Sequence, residues 1–261
     1  MEFLEKIALE RSKDFYDDAI SPSAKKAGEA IETLASLFSD VLLYPVKKAN
    51  ENYKYKYKLF KDELSKKTEN IPHENAVDPS LIIAGPVLEN LKYAFDEKHI
   101  RNMYLDLLSN AMDSSKSNLV HPSFVDVIKN LSPNDALVLK EIKRKSQIPA
   151  VKIVMQYGDR IIVDAMPSIF APSIELGLDP FYVSLSVQNL IRLGIVNYYN
   201  VNVIYYDYNG LSEHVFVKNR IKEVQDHPSY SEKKITISTS NWLIELNDFG
   251  KAFSFICLSD N

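Results

Sequence analysis

The stretch Asn118–Ile142, NLVHPSFVDVIKNLSPNDALVLKEI, joins two regions of different texture and carries the clearest helix-boundary chemistry in the chain. Pro122 fits the first turn of one short helix. Ser132-Pro133 opens the next, because a serine hydroxyl accepts a backbone N–H at the N-cap and proline at N1 lacks a donor that would go unpaired there. The stretch therefore reads as a hinge between a front and a back half. Its signal is architectural, since no nucleophile, phosphate loop or metal cage accompanies it.

In the front half, Ala27, Ile31, Leu34, Ala35, Phe38, Val41 and Leu42 recur at three- and four-residue intervals, the stripe of an amphipathic helix over 24–43 that Pro45 ends. A second helix over 46–67 repeats apolar residues at 46, 49, 53, 57, 60 and 64, a narrower seam suited to one partner helix. A long antiparallel pair is expected. Its two stripes offer more apolar face than a simple pair consumes, which points to self-association or a protein partner. Lys54, Lys56, Lys58 and Lys61 interleave with Tyr53, Tyr55 and Tyr57, but Glu51, Asp62 and Glu63 break the charge, so a solvated helix face is expected there. Pro72, Pro79, Gly85 and Pro86 predict an extended connector over 69–86. A central helix follows, with Asp96 as N-cap, Phe95 and Ile100 as a hydrophobic staple, and Ile100, Met103, Tyr104, Leu107, Leu108 and Ala111 as its buried face. The polar run Asp113–Asn118 reads as a loop.

In the back half, Val151–Tyr157 and Arg160–Ala165 flank Gly158-Asp159, the pattern of a β-hairpin. Asp179-Pro180 starts a helix through Leu193 that Gly194 stops. A strand over Ile195–Tyr206 then leads through Tyr208-Asn209-Gly210 to a returning strand over Leu211–Val217. Ile235–Ser238 supplies a short third strand, and Trp242–Leu258 reads as strand or turn running into a terminal helix. Helix, helix, then helix and hairpin is the order of a winged helix-turn-helix. On its third helix Val183, Val187, Leu190 and Gly194 form a packing face, while Ser184, Gln188 and Arg192 share another and form a candidate interaction face. The expected fold is mainly α with a smaller α+β part: an N-terminal helical bundle over 1–130, followed by a winged-helix-like domain over 131–261.

A chain of 261 residues, 46% hydrophobic and 25% charged, can bury one large core or two of ordinary size. Net charge is −4, from 18 basic against 21 acidic residues through Asn130 and 13 against 14 after it, so neither half shows the basic excess of a dedicated nucleic-acid binder. The single cysteine, Cys257, has no internal disulfide partner and lies in the apolar run Phe253–Leu258, which predicts a buried, reduced thiol and a cytosolic protein. Met1–Glu5 lacks the features of a secretory signal. The longest uncharged run, Leu193–Tyr206, holds three asparagines and is shorter than the roughly 18 apolar residues of a membrane span, so none is expected.

His121-Pro122-Ser123-Phe124 places a histidine near a serine, but residues so close in sequence seldom face each other as base and nucleophile, and no orienting acid is identifiable. A cap or core-contact role is the better reading for this structural motif, as it is for Ser132 and Pro133. His73, His99, His214 and His227 are isolated, and with one cysteine there is no zinc-ligand spacing. Asp106, Asp113, Asp126 and Asp135 do not converge by spacing and suit helix faces and ends. No catalytic residue, metal or cofactor is predicted.

Several motifs together resemble the Abi-alpha family, bacterial proteins named for abortive infection and otherwise classed as a domain of unknown function. They are Ile71-Pro72, Asp78-Pro79, LDLLSNAMD over Leu105–Asp113, His121–Val125, Leu131–Ala136, and Leu246–Phe253. The resemblance spans most of the chain. It implies a phage-defence or stress-response setting in the bacterial cytosol, a helical front half and a winged-helix-like back half, and it supplies no catalytic residues. Residues 148–178 exceed what a minimal winged helix needs.

Three functions follow. The first is a non-enzymatic interaction or effector protein of a phage-defence system. The second is a DNA-binding regulator using Ser184, Gln188 and Arg192, with tight duplex binding disfavoured because that helix holds one basic residue. The third is a ribonuclease effector. Some abortive-infection effectors share a short arginine-to-histidine motif, and Arg220 and His227 have a permissible spacing, with arginine to stabilise phosphate charge and histidine as acid or base. Here the pair is expected on a charged exposed loop after a wing strand, and Pro228 stops any helix from continuing beyond it.

Overall fold

A computed structural model describes residues 24–38, 51–157, 160–171, 177–228 and 235–259. Among them are ten α-helices and a four-stranded antiparallel sheet, so the protein is mainly helical with an α+β part. By compactness the chain divides into unit one, Met1–Lys92 with Leu108–Val120, and unit two, Tyr93–Leu107 with His121–Asn261.

Unit one begins with α1 (Ala24–Leu37) and α2 (Glu51–Thr68). The expected stripe is buried at Ile31, Leu34, Ala35 and Phe38, and so are Phe60 and Leu64 of the seam. Phe38 and Phe60 stack with ring centroids 4.9 Å apart. At the wet margin Tyr57 donates to Glu32 at 3.0 Å and Lys61 pairs with the same carboxylate. The expected continuation over 39–43, Pro45, and the start of the second helix at 46–50 lie outside the described residues.

The sequence placed 69–86 in an extended connector; the structure makes its last part helical. After a 3-10 turn at His73–Asn75, α3 runs Leu81–Ala94 with Pro86 inside it. Proline withholds one intrahelical donor, and the carbonyl it leaves behind belongs to Ile82, an exposed residue on a face that water can solvate. Ile83, Ala84, Val87, Leu88 and Leu91 form the opposite, buried face. The connector stays extended at Ala76, which bridges Asp113, and Val77, whose N–H donates to Met112 O at 2.9 Å.

Helix α4 (Lys98–Ala111) begins one residue later than an Asp96 cap would place it, with Glu97 O accepting the Arg101 N–H. All six residues of its predicted inner face are buried. In unit two, α5 (Ser123–Lys129) follows Pro122, and α6 (Pro133–Lys145) starts where Ser132-Pro133 predicted. Ser132 Oγ accepts from Asp135 N at 3.2 Å, and Asp135 Oδ2 accepts from Ser132 N at 2.8 Å, a reciprocal capping box. Lys143, Arg144 and Lys145 complement the dipole at the other end. Both α5 and α6 lie in unit two, on either side of the 130/131 boundary expected from sequence.

The predicted hairpin is present and longer than expected, β1 (Gln147–Tyr157) against β2 (Arg160–Phe170); its turn at Gly158-Asp159 lies outside the described residues. Helix α7 (Pro180–Arg192) begins at Asp179, whose carboxylate accepts from Phe181 N at 2.7 Å, and gives way at Gly194, which has φ +72°. Beyond it the expected second hairpin is absent. Strand β3 stops at Asn200 (Val196–Asn200), and Leu211–Val217 is not a returning strand. That segment belongs to α8 (Tyr208–Ser212) and α9 (Val215–Gln225). Asp207 accepts from Gly210 N at 2.8 Å and His214 Nδ1 from Phe216 N at 3.2 Å, so each short helix has its own side-chain cap. Val217 and Val224 then fall on one face and pack with Val151, Ile153, Met155 and Phe170 on the sheet. The partner of β3 is instead β4 (Ile235–Leu246), three times the length predicted, which also pairs with β1 in the order β2-β1-β4-β3. Helix α10 (Asp248–Cys257) ends the fold.

Candidate functional site

Helix α7 carries the predicted interaction face, and its packing face is as read: Val183, Val187 and Leu190 are buried. Ser184 is a correction. It is 2% exposed and its hydroxyl accepts the Ile169 N–H at 3.2 Å, so it fastens α7 to the end of β2 and offers nothing to a partner. Gln188 is exposed and reaches back to Ser184 Oγ at 3.5 Å. Arg192 is exposed too, but its guanidinium donates twice to Asn189 Oδ1, at 3.0 and 2.8 Å. Asn189 in turn donates to Asn130 O at 3.0 Å and Asp135 Oδ2 at 2.9 Å. The polar end of the face is therefore tied to the capping box of α6.

The sequence reading missed the other half of this face. Phe181, Tyr182 and Leu185 are 40%, 50% and 52% exposed, and with Gln188 and Arg192 they follow one side of the helix at the spacing i, i+1, i+4, i+7, i+11. The available signal was the pair of aromatics directly after Asp179-Pro180, lying off the Val183–Val187–Leu190 stripe.

His121 Nδ1 accepts the Ser123 N–H at 3.1 Å, and its ring lies 6.0 Å from Phe124 and 6.1 Å from Phe249. Phe124 also meets Phe253 edge-on at 5.4 Å. The histidine lone pair caps the start of α5, and the motif links that helix to α10 through tilted and edge-on aromatic contacts. Arg220 lies on α9, not on a loop after a wing strand, and its guanidinium donates to Glu223 at 2.9 Å. His227 is exposed two residues beyond the end of the same helix. Cys257 is fully buried; burial first, and the Asp106 carboxylate second, push its thiol well above its ordinary range, which keeps it protonated and a poor nucleophile. Among the described residues no group of three or more His, Cys, Asp and Glu is placed to hold a metal ion, and no helix is long and apolar enough to cross a membrane.

The described helices and the four-stranded antiparallel sheet define a mainly helical protein with an α+β part. The chain belongs to the abortive infection alpha family, whose model matches residues 52–257. No curated protein matches it. Among solved structures it is similar to an uncharacterized protein from the hydrocarbon-degrading marine bacterium Alcanivorax borkumensis SK2, at 11% identity and a TM-score of 0.36 over 56% of this chain and 96% of that one.

Proposed function

We propose that this protein serves bacterial phage defence as a non-enzymatic interaction protein of an abortive-infection system, contacting a protein partner in the cytosol through the outward face of α7. The observation that carries this reading is the exposed Phe181–Tyr182–Leu185 cluster continuing into Gln188 and Arg192. Aromatic residues and arginine are enriched at protein interfaces, and a helix presents them already ordered, so little further entropy is lost on binding. Family membership supplies the setting.

The order α5, α6, α7, then β3 paired with β4, supports a winged-helix reading in which α8 and α9 are inserted between the two wing strands. Such a fold does not bring DNA binding with it. Arg192 is the one basic residue of α7, and it already donates to Asn189, whereas duplex affinity rests on several phosphate contacts.

Phage plaquing on cells expressing the protein tests the assignment. Leu185→Glu should abolish protection while Arg220→Ala and His227→Ala keep it, all three at wild-type abundance and melting temperature. Loss of protection in both Arg220→Ala and His227→Ala, with stability intact, would move the function to a ribonuclease. Submicromolar duplex binding by the full chain at physiological salt, weakened by Arg192→Ala, would make it a DNA-binding regulator.

A further inference from the structure

The outward face of α7 differs between its two ends. Phe181, Leu185, Gln188 and Arg192 follow one another at intervals of four, three and four, the spacing of a seam that pairs with another helix, and Tyr182 flanks the first of them. From Pro180 to Ile191 no residue is charged. Asp179 stands at the start of the helix and Arg192 at its end, so its two charges are opposite in sign and as far apart as the helix allows. The acidic end is also the aromatic end, where Phe181 and Tyr182 meet edge-on with ring centroids 5.9 Å apart. At the basic end Arg192 donates Nε and Nη2 to the same Asn189 oxygen. Both donors lie on one edge of the guanidinium, which orients the group without using its flat faces.

We infer that the outward face of α7 pairs antiparallel with the same face of a second copy of this chain, about a two-fold axis between Leu185 and Gln188. The order of residues along the seam selects that partner. Antiparallel pairing sets position 181 against 192 and 185 against 188, and the two-fold axis makes each contact twice. The guanidinium of Arg192 then stacks on the Phe181 ring of the other copy, at the end that carries Tyr182 and Asp179, while Leu185 and Gln188 close the uncharged middle. Parallel pairing would instead set Arg192 on Arg192 and Asp179 on Asp179, so the charges choose the direction. A second copy carries this complement by construction; any other protein would have to reproduce it in reverse. About three turns of helix make a small interface against the ~1,200 Å² at the lower end of specific complexes, so the dimer is a weak one. This pairing rests on the reading of α7 as a contact face and specifies what covers it.

Sedimentation of the full chain across the micromolar range tests it, on single proteins and on a mixture of two variants. The expected result is a monomer–dimer equilibrium that Leu185→Glu weakens about tenfold or more. Phe181→Arg sets arginine against Arg192, and Arg192→Glu removes the cation from both ring contacts, so each variant alone should also associate about tenfold or more less tightly. Mixed, the two should form a heterodimer near wild-type affinity, because one contact becomes an arginine–glutamate pair and the other is the native ring and guanidinium. A monomer at every concentration, or a dimer that neither Leu185→Glu nor Arg192→Glu weakens, would overturn the inference. So would failure to recover on mixing when both variants keep the wild-type melting temperature; if either melts early, Leu185→Glu decides alone. Phage plaquing separates this pairing from the function it rests on. A monomeric wild type whose protection is still lost in Leu185→Glu would give the face to another protein and overturn the pairing alone, whereas a dimer lost in Leu185→Glu with protection kept would support the pairing and overturn the proposed function.

Discussion

Two helices of unit two start in the same way and end in opposite surroundings. Helix α7 opens on Asp179 and α10 on Asn247, each with its side-chain oxygen accepting a backbone N–H of the first turn. From there α10 is pressed inward. Asn247 also donates to Gly194 O at 2.8 Å, and Gly250 lies so close to the backbone of Ile195 that a methyl group would overlap its carbonyl oxygen. Phe253, Ile256 and Cys257 are fully buried. Helix α7 instead leaves Phe181, Tyr182 and Leu185 half in water. Equal local chemistry thus yields one helix pressed into the core and another that leaves part of its surface in water.

Gly250→Ala probes the tight side and carries the largest expected effect. The obstacle is backbone, not the movable tip of a side chain, so α10 must shift from the α7–β3 turn; a loss of about 3 kcal/mol is expected, toward the upper end of overpacking costs. A urea melt reads it, and a loss below about 0.5 kcal/mol would mean that the approach of α10 to Ile195 is looser than described.

Ser132→Ala removes one arm of the capping box of α6 and should cost about 0.5–2 kcal/mol in the same melt. An unchanged midpoint would place the start of α6 elsewhere.

Further along α6, Arg144 first and Lys145 second hold the Glu141 carboxyl below its ordinary value. A folded-state value lower than the unfolded one, about 4.3, adds stability above that pH and loses it as pH falls through the folded value. Glu141→Gln should therefore lower stability near neutrality, change it little at acid pH, and so flatten the acid limb of a stability–pH curve. An acid limb as steep as that of the wild type would assign the dependence to other carboxylates.

The smallest stability effect belongs to the exposed side of the comparison. Leu185→Glu should stay within about 0.5 kcal/mol of wild type, because an exposed side chain has little contact to lose. A drop of several degrees in melting temperature would show that the outward face of α7 is packed after all.

The sequence by itself determined those elements whose reasons are local. Ser132-Pro133, Asp179-Pro180 and Gly194 set helix boundaries through their own backbone and side-chain chemistry, and the spacing of Ile100 to Ala111 determined which side of α4 is buried. Tertiary structure decided the rest. Leu211–Val217 alternates enough to read as a strand, yet it is helical because Asp207 and His214 cap it and the sheet offers an apolar surface for Val217, with Val224 beyond it. Which strand β3 would join was settled by β4, whose pairing with β1 closes contacts about ninety residues apart in the chain, beyond the reach of any local pattern. Likewise Ser184 and Leu185 are neighbours in sequence, and only the position of Ile169 puts one hydroxyl inside and leaves the adjacent leucine in water. Periodicity tells which residues share a face; burial depends on what another part of the chain brings against it.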